Sequence, residues 1–199
     1  MRQGFEYGPD AGVQTPAGGD VQAPSRAAPH TIVVAGTDFV ADVTGALYWP
    51  AERMLVVADL HLEKGSAFAQ RGRLLPPYDT RETLLRLDAA VARFAPRTIV
   101  ALGDSLHDRD APQRIGKENL AAIAIMQEGR QWYWVAGNHD PQCPEMLGGK
   151  PAQELALGGL TLRHEPFAGP ATHEIAAHLH PAARLASHGT AIRRPCFVS

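Results

Sequence analysis

Five short acidic and histidine motifs occur in order along the chain: Asp59-Leu60-His61, Gly103-Asp104, Gly137-Asn138-His139-Asp140, His164 and His178-Leu179-His180. Together they offer carboxylate and amide oxygens with imidazole nitrogens, a donor set that suits Mn, Fe or Zn better than Mg or Ca. Two divalent ions held side by side need one carboxylate that touches both. Asp104, central in the series and on a glycine-flanked turn, is the natural bridge. Asp59 and His61 flank Leu60, so in an extended segment both project to one side and can chelate one ion. His178 and His180 share that spacing and could serve one ion each. Asn138 offers a neutral carbonyl oxygen to metal or substrate, and His164 adds another imidazole. Such a metal pair would polarise phosphate oxygens, lower the pKa of a bridging water and align the hydroxide in line with the leaving group. His139 is adjacent to a ligand but is not needed as one, which makes it the candidate general acid. His107, three residues after Asp104, could orient or assist it. The chemistry implied is metal-dependent hydrolysis of a phosphate ester.

Each of the first three motifs follows a short apolar run. Met54–Ala58, Thr98–Leu102 and Trp132–Ala136 read as strands buried on both faces, and helical periodicity falls between them at 80–94 and at roughly 114–129. Asp79 with Glu82 makes a variant of the capping box before the first helix. Strand–helix–strand–helix–strand with short linkers predicts parallel strands with helices outside, and sites in such folds lie beyond the carboxyl ends of the strands. Thr31–Ala35 and Phe39–Val43 read as strands around a turn at Gly36-Thr37-Asp38. Ala46–Trp49 reads as the hairpin partner of Met54–Ala58. Residues 63–78, with Gly65, Gly72, Pro76 and Pro77, read as a long loop. Leu160–Leu162 and Glu174–Ala177 read as strands of a second, more antiparallel sheet packed on the first. The fold class is α/β, a sandwich of mixed sheets flanked by helices.

The chain has 199 residues, 45% of them hydrophobic, and a formal net charge of −2. It is not a global polyanion binder, so a nucleic-acid substrate would have to be gripped locally and by metal. Lys64, Arg71, Arg73 and Arg81 lie in and around the first loop and could grip a phosphate backbone; the alternative is a solvated basic loop. Cys143 and Cys196 are far apart and read as ordinary reduced thiols. Residues 1–30 are a Gly/Ala/Pro-rich extension expected to be disordered, and 31–199 are expected to form one domain. The sequence shows no signal peptide or membrane span, which predicts a soluble, cytoplasmic protein. The chain closes on Cys196-Phe197-Val198-Ser199, a strand-like fragment, and is expected to stop short of the natural end of its domain. His30, His173 and His188 fit no role and read as surface or structural residues. Asp108 and Asp110 read as solvated loop charges, and Asp140 as a structural residue of the His139 turn.

The ordered motif set resembles that of the calcineurin-like metallophosphoesterase superfamily, over about Leu55–Pro181. The resemblance implies a β-sandwich flanked by helices. It also implies one ion held by Asp59, His61, Asp104 and His180, a second held by Asp104, Asn138, His164 and His178, and His139 as acid or transition-state stabiliser. His107 stands where protein phosphatases carry an Asp followed by Arg-Gly, which is similar to the double-strand-break repair nucleases. Val57–Gly65, Arg71-Gly72, Leu74–Thr80 and Arg193–Val198 resemble the bacterial ligase-associated DNA damage response endonucleases of the PdeM group. One departure is Ala177, where a Gly usually precedes His-x-His. That resemblance implies a DNA phosphodiester as substrate, a metal pair of Mn²⁺ with Fe or Zn as alternatives, and an ATP-dependent DNA ligase and a helicase as partners. A phosphodiesterase or phosphatase for a small nucleotide, and a non-catalytic scaffold, are the competing readings. The presence of His139 disfavours the scaffold.

Overall fold

A computed structural model describes residues 30–73, 79–142, 145–170, 173–187 and 190–198. The N-terminal extension up to residue 29, Leu74–Tyr78, Cys143 and His188 lie outside the described residues. Seven strands form one mixed sheet in sequence order: β1 (His30–Val34), β2 (Thr37–Ala41), β3 (Leu47–Trp49), β4 (Met54–Val57), β5 (Thr98–Leu102), β6 (Gln131–Val135) and β7 (Lys150–Ala152). The first four pair antiparallel, and β4 to β7 run parallel.

The β1–β2 turn is Ala35-Gly36, not Gly36-Thr37-Asp38. Both residues have positive φ, 50° and 76°, the backbone of a two-residue turn whose twist matches the strands it joins. The second strand therefore starts earlier than the residue pattern suggests and ends before Asp42. Freed from the ladder, Asp42 accepts the Thr44 N–H at 3.0 Å and its hydroxyl at 2.7 Å, and pairs with Arg93.

Among the described residues, four α-helices lie between β4 and β6: α1 (Lys64–Gln70) and α2 (Asp79–Phe94) before β5, and α3 (Ala111–Arg114) and α4 (Lys117–Gln127) after it. The residues read as a long loop at 63–78 thus contain a helix, which tertiary contacts create. The N–H of Gly65 donates to Asp79 Oδ2 at 2.6 Å, and a Cβ at Gly65 would sit 2.7 Å from Asp79 Oδ1. Asp79 is therefore engaged with α1, and the Thr80 hydroxyl with the buried Glu63. The second helix expected at roughly 114–129 is α4, which starts at Lys117 after the extended Gly116; the single turn α3 precedes it.

Alternation along the central strands separates two apolar layers. Leu55 and Val57, Ile99 and Ala101, Trp132 and Trp134 pack with Leu84, Leu87, Val91, Ile123 and Met126 of the helices. Met54 and Val56, Val100 and Leu102, and Val135 point the other way, onto Leu160 and Leu162. Those two belong to a second sheet of β8 (Leu155–Leu157), β9 (Leu160–Arg163) and β10 (Glu174–Ala176), in the order β10-β9-β8. This sheet is half parallel, with β8–β9 antiparallel and β9–β10 parallel. β11 (Ala182–Ser187) and β12 (Thr190–Pro195) form a separate two-stranded ribbon. The final strand thus ends at Pro195, and the strand-like reading of Cys196–Phe197–Val198 does not hold. Among the described residues, no helix is long and apolar enough to cross a membrane.

Leu160 is 1% exposed between the sheets, whereas Leu185 of the ribbon is 62% exposed. Leu160→Ala is expected to cost about 2–5 kcal/mol, read as a lowered urea midpoint at unchanged slope. Leu185→Ala should stay within about 0.5 kcal/mol of the parent. Equal effects would contradict the layer assignment.

Candidate metal centre

The parallel pairing aligns the carboxyl ends of β4, β5 and β6, and each chain leaves the sheet into one of the motifs. Asp59 and His61 follow β4, Asp104 follows β5, and Asn138 and His139 follow β6. His164 follows β9, and His178 and His180 follow β10. The first two loops continue side by side past the strands. The N–H groups of Asp59, His61 and Leu62 donate to the carbonyls of Gly103 (3.2 Å), Asp104 (2.9 Å) and Ser105 (2.8 Å), and His107 N–H donates to Leu62 O at 2.9 Å.

The segment 59–61 is not extended. Asp59 and His61 have φ of 50° and 44°, and Glu63, Asp104, His178 and His180 are also left-handed, with φ between 44° and 67°. Such backbone costs on the order of 1–3 kcal/mol per residue and persists where the surroundings over-determine it, commonly at functional sites.

Among the described residues, the loops bring the donor atoms into three groups, each with its members within 4.8 Å of one another: Asp59, His61 and His180; His61, His107 and His139, the two sharing His61; and, apart from these, Asp104, His164 and His178. In the last, His164 Nε2 lies 3.4 Å from Asp104 Oδ2, 3.0 Å from Asn138 Oδ1 and 3.2 Å from His178 Nδ1. His178 Nδ1 is itself 3.0 Å from Asn138 Oδ1. His164 Nδ1 is 3.1 Å from Leu102 O, a contact that requires a proton on Nδ1, so in the neutral ring Nε2 is the lone pair. In that form Nε2 faces the oxygens of Asp104 and Asn138 as one acceptor among others. Asp59 Oδ1 and His61 Nδ1 are buried without a hydrogen-bond partner. Carboxylate, amide and imidazole donors gathered in this way suit bound cations, so the residues fit divalent metal ions.

Burial pushes the His61 pKa down to about 4, against the pull of the Asp104 charge. The ring is therefore neutral at neutral pH, as an imidazole ligand must be. Burial raises Asp59, opposed by His180 and His164 and reinforced by Asp104. Asp104, although it sits in the other group, is near enough for its charge to act on both Asp59 and His61.

The loops after β5 and β6 exchange carboxylates. Asp104 Oδ1 accepts the His139 N–H at 2.9 Å, and Asp140 Oδ2 accepts the Leu106 N–H at 2.9 Å. Burial raises Asp140 to about 6 despite that hydrogen bond, with Asp104 adding to the rise. Gly137 lies at the crossing, where a Cβ would overlap the backbone nitrogen and Oδ1 of Asp104. The same is true of Gly103 against the His164 ring.

His139 Nδ1 meets His107 O at 2.6 Å, and the rings of His61 and His139 are 5.1 Å apart. Burial lowers the His107 pKa, and His139, Lys64 and Arg71 lower it further, so Lys64 and Arg71 stand on the His107 side of the centre. Arg73 is exposed after α1. Asp108 is not a free loop charge. Burial alone would raise it, but Arg114 outweighs that and holds it low, with Nη2 to Oδ1 at 2.7 Å. Arg114 also donates to Ser66 Oγ at 3.0 Å, and Ser66 bonds the buried Glu63 carboxylate at 2.7 Å. This chain ties the loop carrying His107 to α1. No periodicity or motif marked it, because its members are isolated in sequence.

Residues 52–182 match the family described as calcineurin-like phosphoesterase. The chain belongs to that family. As a calcineurin-like phosphoesterase, it is a metal-dependent hydrolase of phosphoester bonds. Among solved structures it is similar to the crystal structure of Pseudomonas putida nuclease MPE, at 30% identity, with 85% of this chain and 81% of that chain covered and a TM-score of 0.68. No curated protein matches the phosphoesterase.

Gly137→Ala is expected to displace Asp104 and so remove bound metal together with activity, while far-ultraviolet circular dichroism changes little. Metal content by plasma mass spectrometry is the check; full metal loading in the variant would contradict the close approach.

Proposed function

We propose that this phosphoesterase is a two-metal phosphodiesterase that cuts DNA as an endonuclease in the damage response. The observation that carries the metal chemistry is the convergence of donor atoms from Asp59, His61, Asp104, His164, His178 and His180 at the strand ends, with Asn138 Oδ1 3.0 Å from His164 and His178 and with Asp59 Oδ1 and His61 Nδ1 buried without a hydrogen-bond partner. Asp59, His61 and His180 would hold one ion, Asn138, His164 and His178 the other, with Asp104 shared. The nitrogen-rich set favours Mn²⁺, with Fe or Zn as alternatives. When bound, the ions supply Lewis-acid polarisation of the phosphate and a water acidic enough to act as nucleophile at neutral pH.

The protein supplies the rest. The His107 carbonyl, accepting His139 Nδ1–H at 2.6 Å, fixes the imidazole orientation and leaves Nε2 to hold the proton for the leaving oxygen. The His107 ring, kept neutral by burial and cationic neighbours, adds no charge that would repel a protonated His139. Lys64, Arg71 and Arg73 offer cations on that side to phosphates flanking the reacting one, and Asn138 can contact the phosphate itself. The side chain of His180 is 54% exposed, so the centre opens to solvent at one edge, as a polymer substrate requires. The similarity to a nuclease supports a nucleic-acid substrate. DNA, the damage response and association with a DNA ligase and a helicase rest on the sequence resemblance.

With added Mn²⁺, the protein is expected to hydrolyse a chromogenic phosphodiester in preference to a monoester and to cleave single-stranded or nicked DNA. A monoester preference without DNA cleavage would sink the endonuclease reading and favour a small-nucleotide substrate.

His139→Ala should keep its metals and lose about 10²–10⁴-fold in kcat, whereas Asp104→Ala should lose the metals. Equal metal loss in the two variants would refute this division of roles.

A further inference from the structure

The β11–β12 ribbon begins two residues after His180, and its base is closed by Cys196 N–H donating to Pro181 O at 3.0 Å. Its strands bond to each other and to neither sheet. Six residues per strand give it a length of about 20 Å. The register places Arg184 directly opposite Arg193, so both guanidinium groups rise from the same face. The other residues on that face are Ala182, Ala186, Ala191 and Pro195, small side chains that leave the two cations proud of a flat surface.

Like charges directly opposite in an antiparallel pair are destabilising. A compensating acid is expected beside them, yet among the described residues the arginine ion pairs are those of Arg86, Arg93, Arg114 and Arg163. The protein as a whole carries a net charge of −2, so this pair is a local positive feature on a slightly acidic molecule. A two-stranded ribbon has the dimensions to lie along a DNA groove, and paired guanidinium groups bind phosphate oxygens bidentately.

We propose that the Arg184–Arg193 face of the ribbon is a binding surface for the DNA phosphate backbone, separate from the metal centre and engaging phosphates a few nucleotides from the one hydrolysed. This inference rests on DNA being the substrate. The ribbon sets how strongly and in what register a long substrate is held, and plays no part in bond cleavage.

The test uses the full chain loaded with Mn²⁺. Anisotropy of a fluorescein-labelled DNA duplex, titrated over a range of salt concentrations, is read beside kcat and KM for a chromogenic phosphodiester. Replacing both Arg184 and Arg193 by Ala is expected to weaken DNA binding about tenfold or more and to flatten the slope of log affinity against log salt by about two. The small-substrate constants should not change, and Lys at both positions should restore most of the affinity. Unchanged affinity and slope would overturn the proposal, as would an equal loss on the small substrate. A parent protein that binds duplex while the double variant is unaffected defeats the ribbon assignment alone. A parent that hydrolyses the small diester but neither binds nor cleaves DNA defeats both readings. Arg184→Glu adds a check against a folding defect. It creates an opposite-charge cross-strand pair with Arg193, so melting temperature should hold or rise while DNA affinity falls. A fall in both would overturn the assignment.

Discussion

The carboxylate of Asp104 is 2% exposed, and it has one N–H donor, from His139, to meet its charge. A buried carboxylate without cationic compensation carries a penalty on the order of several kcal/mol. Much of the surrounding architecture follows from holding that group in place and leaving room for positive charge beside it. Gly103 lacks a Cβ so that the His164 ring can approach, and Gly137 lacks one so that the loop after β6 can close over Asp104. The returning carboxylate of Asp140 binds Leu106 N–H, so neither loop can move without breaking a charged hydrogen bond on the other. Metal affinity and loop geometry are in this sense one property.

The sandwich provides the stiffness that this arrangement needs. Helices cover one face of the seven-stranded sheet and the small sheet covers the other, so the central strands are buried on both sides. Six left-handed non-glycine residues around the site are held by this packed scaffold. The two sheets also divide the donors. The large sheet contributes Asp59, His61, Asp104, Asn138 and His139, and the small sheet contributes His164, His178 and His180. The centre therefore forms only when the layers are packed, which links folding to metal binding.

The central strands were legible because apolar runs of strand length bounded by glycine and charge have one economical reading. Met54–Val57 and Thr98–Leu102 came out within a residue of their observed ends. α1 was not legible, since Gly65 and Gly72 argue against a helix locally and its stability comes from Asp79 and Thr80, fourteen or more residues away. The β1–β2 turn was misplaced because Ala35 carries no turn signal, although its backbone is left-handed. Asp108 carries no local sign of its ion pair, because its partner, Arg114, is six positions along and faces it only through the turn of α3.

The sequence by itself determined the family, the donor types and the order in which the strands deliver them. Those depend on residue identity and on hydrophobic runs, which are local properties. The spacing of His178 and His180 left open which ion each serves; the family resemblance implied the division, and the structure gathers His178 with Asp104 and His164, and His180 with Asp59 and His61. Tertiary structure alone decided that the His107 backbone, rather than its ring, touches His139 Nδ1, and that Arg184 stands across from Arg193. Each of these depends on backbone twist and strand register, set by packing between segments far apart in the chain.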